Sequence, residues 1–282
     1  MASESYMILL RLAELLRSET PGMGESFKWT VYAKTMPGLS RALRSGRWTA
    51  EQILPLRAML AGVKMLDDTR RRLDEDNIQW FAMVEQMRRH NGGKGLLHVT
   101  DHWGPKRRPQ WVGTFYNDAE NVISTRLPQG WFDLNGAIIT RAGLELRNDL
   151  GESDDLAHWV EVFKKHEVRS GAPTNMGGWM QPSTLVVFLP AGLEGGARYH
   201  ILLRQAVVAC DLEIHRRKHG SYPADLAELS PPATDPMTGE LFRYRLEEDG
   251  NYVLWSVGFD GKDDGGKVSE RGVWRGKDSV WW

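Results

Sequence analysis

"RYHILLRQAVVACDLEIHRRKHG", residues 198–220, decides the fold. Leu203, Val207, Cys210 and Ile214 recur along one side at helical spacing, so the stretch reads as one long helix with a buried stripe. Its last turn, Arg216 to His219, is basic, which suits the negative end of the helix dipole, and Gly220 supplies a stop. Downstream the period falls to two. In "ELFRYRL", residues 240–246, Phe242, Tyr244 and Leu246 share one face while Arg243 and Arg245 take the other. "NYVLWSV", residues 251–257, follows after the polar turn "EEDG". The two runs predict an antiparallel hairpin lying on the helix, with a short helix framed by prolines between them and Gly220.

Upstream the chain reads as helical. In "SYMILLRLAELLR", residues 5–17, Ile8, Leu9, Leu12, Leu15 and Leu16 form an apolar stripe expected to face the core, with Arg11, Glu14 and Arg17 outward. Gly46 breaks the pattern, and Thr49 with Gln52 three residues on marks the start of a second helix. Pro55 is expected to kink it before Leu56, Met59, Leu60, Val63 and Leu66 carry the stripe onward. A third helix is expected at about 70–90, loops and short elements over 92–150 with a helix near 136–147, and a helix capped by Ser153 over "DDLAHWVEVFKKHE". Glycine and proline punctuate 170–196. The expectation is an α+β protein: a mainly helical domain over 1–195, then a domain over 196–282 built of a long helix and a small antiparallel sheet.

With 282 residues, 41% of them hydrophobic, the chain is long enough for one large core or two ordinary ones. Lysine and arginine total 36 against 37 acidic residues, so no global field recruits nucleic acid or an anionic surface, and a charged partner has to be met locally. Cys210 stands alone, which excludes an internal disulfide and a cysteine-rich zinc site. On an apolar helix face it reads as core. No apolar run reaches the roughly 20 residues that span a bilayer.

The hairpin runs into "YVLWSVGFDGKDDGG", residues 252–266, where Asp260, Asp263 and Asp264 crowd among glycines. Like charges this close are either solvated or neutralised by a cation. Calcium suits such a loop, because it takes carboxylates and backbone carbonyls in flexible geometry. An EF-hand is excluded, since counting from Asp260 puts Lys262 at the third ligand position and Arg271 at the twelfth. "HRRKHGSYP", "TDPMTGELFRYR", this loop and the closing "KDSVWW" resemble, in order and spacing, the globular head of the major pseudopilin of bacterial type II secretion. The resemblance covers roughly the last 80 residues. It implies a calcium ion held by Asp260, Asp278 and the Val257 carbonyl, with Asp263 or Asp264 as a further ligand. No prepilin cleavage motif or apolar stalk accompanies it. The whole chain is similar to envelope proteins of planctomycete-type bacteria that carry this tail after a helical region. The resemblance therefore implies a non-enzymatic, extracytoplasmic protein in the periplasm or at the cell surface, anchored if at all by a segment outside this chain. Its partners would be other envelope proteins or further copies of itself, with no nucleic acid.

Two other function classes compete. A hydrolytic metal site would use "HVTDH", in which His98, Asp101 and His102 carry ligand chemistry, although Val99 and Thr100 disfavour the helix that would align the imidazoles. A carbohydrate-binding surface would use some of the 12 tryptophans, with Trp103, Trp111, Trp131 and Trp179 as candidates. His215 and His219, with Asp211 one turn earlier, share a helical face but read as a solvated helix end. Lys106, Arg107 and Arg108 between Trp103 and Trp111 read as a local basic stretch.

Overall fold

A computed structural model describes residues 2–15, 23–89, 129–170, 188–267 and 278–281. Seven α-helices lie within these residues: α1 (Ala2–Leu15), α2 (Met23–Arg44), α3 (Ala50–Ala61), α4 (Met65–Arg89), α5 (Gln129–Leu150), α6 (Leu156–Ser170) and α7 (Phe188–His219). A 3₁₀ turn at Leu226–Glu228 precedes strands β1 (Arg243–Leu246), β2 (Tyr252–Ser256) and β3 (Ser279–Trp281). The fold class is α+β, mostly helical with a small antiparallel sheet.

The expected hairpin forms, with Tyr244 opposite Leu254 and Leu246 opposite Tyr252. β3 adds to the other edge of β2, placing Val280 opposite Trp255 and completing the order β1-β2-β3. Phe242 is buried on the expected face, but Leu246 at the far end of β1 is exposed.

α7 is longer than its apolar stripe and is buried on several sides. Leu203, Val207 and Cys210 are buried as expected, and so are Leu202, Ala206, Ala209 and Leu212. Gly195 and Gly196 let it approach its neighbours: a Cβ on Gly195 would come within 2.6 Å of the Trp29 ring, and one on Gly196 within 2.1 Å of Thr69 Oγ1. Trp29 stacks on Tyr199 with ring centroids 5.5 Å apart.

The chain divides into two compact units, Met1–Arg72 with Leu150–His166 and Pro190–Trp282, and Leu73–Asp149 with Glu167–Leu189. The unit that holds α7 and the sheet thus also holds α1 to α3, and the division between units does not fall at 195/196. Within that unit Arg57 pairs with Asp211, Arg217 donates to the Trp48 carbonyl, and the Arg44 guanidinium lies 4.4 Å from the Tyr252 ring centroid. In the other unit, α5 runs antiparallel to the later turns of α4. Gly143 meets Asn77, Gly136 meets Phe81 and Val84, and Arg147 lies 3.4 Å from Asp74.

Several local expectations need correction. α1 buries Leu10 and Ala13, while Ile8, Leu9, Leu12 and Leu15 are exposed. The helix is apolar on two faces, and the buried one brings Glu14 to Lys28 at 2.8 Å and to the Tyr32 hydroxyl at 2.6 Å. Fully buried Lys28 also pairs with buried Asp68 at 2.5 Å, so the contact is anchored by compensated charge. α2, which the sequence reading did not single out, buries Tyr32, Met36, Leu39 and Leu43 at helical spacing, with Pro37 and Gly38 interrupting the helical signal in the sequence. The Thr49 signal holds, since Gln52 Oε1 accepts the Thr49 N–H at 3.0 Å. Pro55 is accommodated inside α3, which stops at Gly62, and a new helix starts at Met65 where continuity to Leu66 was expected. α5 extends well beyond 136–147 at both ends. The cap of α6 is Asp155, whose Oδ1 accepts the Ala157 N–H at 2.9 Å, and Ser153 instead accepts the Asp155 N–H.

Candidate functional site

The end of β2 and the loop after it form a connected polar region. Ser256 is buried and its hydroxyl donates to Asp235 Oδ1 at 2.9 Å. The same oxygen accepts the Met237 N–H at 2.9 Å, and the Val257 N–H also bonds this carboxylate. Burial raises the Asp235 carboxyl above its usual range despite these donors. Asp235 was not a candidate from sequence; its place directly before Pro236 was the available signal, because a carboxylate there closes a turn on its own backbone.

Beyond Val257 the chain turns through glycines in the left-handed region, Gly258, Gly261, Gly265 and Gly266, and this exposes backbone N–H groups along one path. Asp278, just before β3, collects them. The Asp264 N–H reaches both its oxygens, at 3.1 and 3.0 Å, and the Gly266 N–H reaches Oδ2 at 2.7 Å. Asp278 is only 3% exposed. Burial raises its pKa, the two N–H groups oppose that shift, and the negative charges of Asp263 and Asp264 add to it. β3 is fastened separately. Gln205, fully buried on α7, donates to the Ser279 carbonyl at 2.5 Å and accepts the Ser279 hydroxyl at 3.2 Å.

The five expected ligand residues therefore have different surroundings. Asp263 turns back to the sheet: its Oδ1 accepts the Trp255 indole N–H at 3.0 Å and the Gly265 N–H at 2.9 Å, and its Oδ2 lies 3.5 Å from Arg243. These bonds, the indole first, hold its carboxyl below the usual range. Asp260 Oδ1 accepts the Lys262 N–H at 3.0 Å. Asp264 is tied to Asp278 by its backbone, and Val257 is buried. Phe259 packs edge-on against Phe163 of α6 with centroids 5.1 Å apart, which pins the loop between Val257 and Asp260. Among the described residues, no three His, Cys, Asp or Glu side chains are grouped to hold a metal ion. The loop thus brings Asp263, Asp264 and Asp278 into mutual influence without converging their carboxylates on one point.

His98, Asp101 and His102 lie outside the described residues, as do Trp103, Trp111 and Trp179, and Trp131 falls within α5. Asp211 is held by Arg57, and the His215 and His219 rings lie 4.3 Å apart, with His215 Nδ1 3.2 Å from the Ser221 carbonyl. Cys210 is fully buried and burial pushes its thiol pKa up, the opposite of an activated nucleophile. Among the described residues no helix is long and apolar enough to cross a membrane.

The elements define a class at the level of fold: an α+β chain in which a long, enclosed helix backs a three-stranded antiparallel sheet closed by a glycine- and aspartate-rich loop. No family model, curated protein or solved structure matches the chain.

Proposed function

We propose that the protein is a non-enzymatic, extracytoplasmic component of the cell envelope that acts through protein contacts, and that a calcium ion stabilises its C-terminal pseudopilin-like module. Asp278 carries this reading. It is a buried carboxylate whose pKa is raised first by burial and then by the negative charges of Asp263 and Asp264, so a cation placed there would offset both effects.

The donor chemistry fits calcium. A carboxylate offers about four lone-pair sites, and the Asp264 and Gly266 N–H groups occupy Asp278 without exhausting Oδ1. Asp260, Asp264 and the Val257 carbonyl add hard oxygens, and calcium fills the remainder of its roughly six to eight positions with water. Asp263 is better read as a positioning residue, because its carboxylate is engaged by Trp255, Gly265 and Arg243. The ion would supply charge neutralisation and a link between the end of β2 and the start of β3.

Calorimetric titration tests the assignment. One calcium equivalent is expected for the native chain, none for Asp278→Ala, and retained binding for Asp263→Asn, whose Oδ1 still accepts the indole N–H. Equal binding by the native chain and Asp278→Ala contradicts it. The envelope assignment is tested by fractionating the source cells; recovery in the cytosol would overturn it.

A further inference from the structure

We propose that a cavity between α3, α7 and the segment Pro231–Thr234 binds a small carboxylate carried on an apolar body. This site is independent of the calcium reading. The cavity measures about 270 Å³ and is lined by Arg57 on α3, Arg204, Val207 and Asp211 on α7, and Phe242 at the entry to β1. At about 30 Å³ per water it has room for on the order of nine waters, the size of an acid with about eight heavy atoms.

Its chemistry is divided. Val207 and Phe242 are buried, at 9% and 3% exposure, and give the floor an apolar surface. Arg57 and Asp211 form a two-pronged pair, Nε to Oδ1 at 2.5 Å and Nη2 to Oδ2 at 2.9 Å, so the one acid in the lining is already compensated. Arg204, three residues before Val207 and one helical turn along the same face, is exposed and forms no ion pair among the described residues. Its charge reaches His200 one turn earlier, where burial first and Arg204 second hold the imidazole pKa down at about 4. The cavity thus offers one uncommitted guanidinium above an apolar floor. A carboxylate answers the guanidinium with a forked hydrogen bond, and an apolar tail displaces water from Val207 and Phe242. A cation is repelled by Arg204, and a neutral ligand forgoes the one unpaired charge among the described lining residues.

The walls are preformed. Pro231 and Pro232 stiffen one side. The Ala233 carbonyl accepts the Phe242 N–H at 2.8 Å, and Thr234 bridges to Leu241, fixing that wall to the start of the sheet. Little ordering is therefore needed on binding.

The test is a titration followed by heteronuclear NMR in chelator, so that calcium plays no part. The probes are 4-methylpentanoate, its primary amide, and an acetylated tetrapeptide ending in leucine with a free or an amidated C-terminus. Expected is saturable binding of the free acid with shifts at Val207, Val208 and Ala233, no binding of the amide, and affinity at least about tenfold weaker in Arg204→Gln, which loses the charge and one of the two forked hydrogen bonds. Ala61→Trp, at the exposed mouth, is expected to abolish binding while leaving the fold intact. The tetrapeptide arm separates sources: tighter binding of the free-ended peptide than of 4-methylpentanoate assigns the site to a chain terminus, and the reverse to a small metabolite. Equal binding of acid and amide, equal affinity in Arg204→Gln, or no saturation by any probe overturns the proposal.

Discussion

Gly266 has φ +73°, and a Cβ there would stand 3.1 Å from the Trp255 ring and 3.3 Å from Val253. A side chain in this backbone region costs roughly 1–2 kcal/mol, and the overlap adds to it. Gly266→Ala is expected to lower stability by about 2 kcal/mol in denaturant titration, whereas Gly250→Ala, also at positive φ but with open space, should show the backbone cost alone. Equal losses would mean that Trp255 does not wall the loop. Asp235 makes a second prediction at this scale. Its folded pKa lies above the unfolded value of 3.8, so its contribution to stability is fully present below 3.8 and is lost as pH rises through the folded pKa. Measured in chelator, the stability gap between the native chain and Asp235→Asn is therefore expected to widen as pH falls from 7 toward 4. A gap that narrows over that range would show that Asp235 is more acidic in the fold than its burial implies.

Among elements, the attachment of β3 to α7 rests on Gln205, whose amide meets both the carbonyl and the hydroxyl of Ser279. Gln205→Leu leaves those groups buried without partners, at a cost of about 1–3 kcal/mol. Amide exchange at Val280 and Trp281 should accelerate before that of β2, because β3 is held on its other edge only by pairing with β2; uniform acceleration across the sheet would contradict a local attachment. The elements also mark what the residues disclosed. α7, the hairpin and the Thr49 start were legible because each carries a period or a cap that acts over a few residues. The buried face of α1 was not, since Leu10 and Leu12 are equally apolar and the choice is made by Glu14 meeting Lys28 and Tyr32 across the core. In the loop, the crowding of aspartates was visible, but the turning of Asp263 toward Trp255 and Arg243 depends on strand register, which no local pattern encodes.

For the whole molecule, contacts between distant segments govern how the chain comes apart. Arg57 with Asp211, Arg217 with Trp48 and Arg44 with Tyr252 join the first helices to α7 and the sheet inside one compact unit. Cleavage between Gly171 and Gly196, where the sequence places a domain boundary, is therefore expected to leave two fragments that co-elute under native conditions. Their separation into folded pieces would uphold independent domains and contradict this packing. The central claim concerns the loop: a calcium ion beside Asp278 joins β2 to β3 and holds Trp281 in its buried place. At a hundredfold excess over its dissociation constant such an ion adds about 2.7 kcal/mol. The direct measurement is a thermal melt of the native chain and of Asp260→Ala in chelator, magnesium and calcium. The account predicts a midpoint raised by calcium well beyond magnesium, which resists leaving its waters, and an increment that is lost or much reduced in the variant. A native midpoint unmoved by calcium after thorough chelation would contradict it.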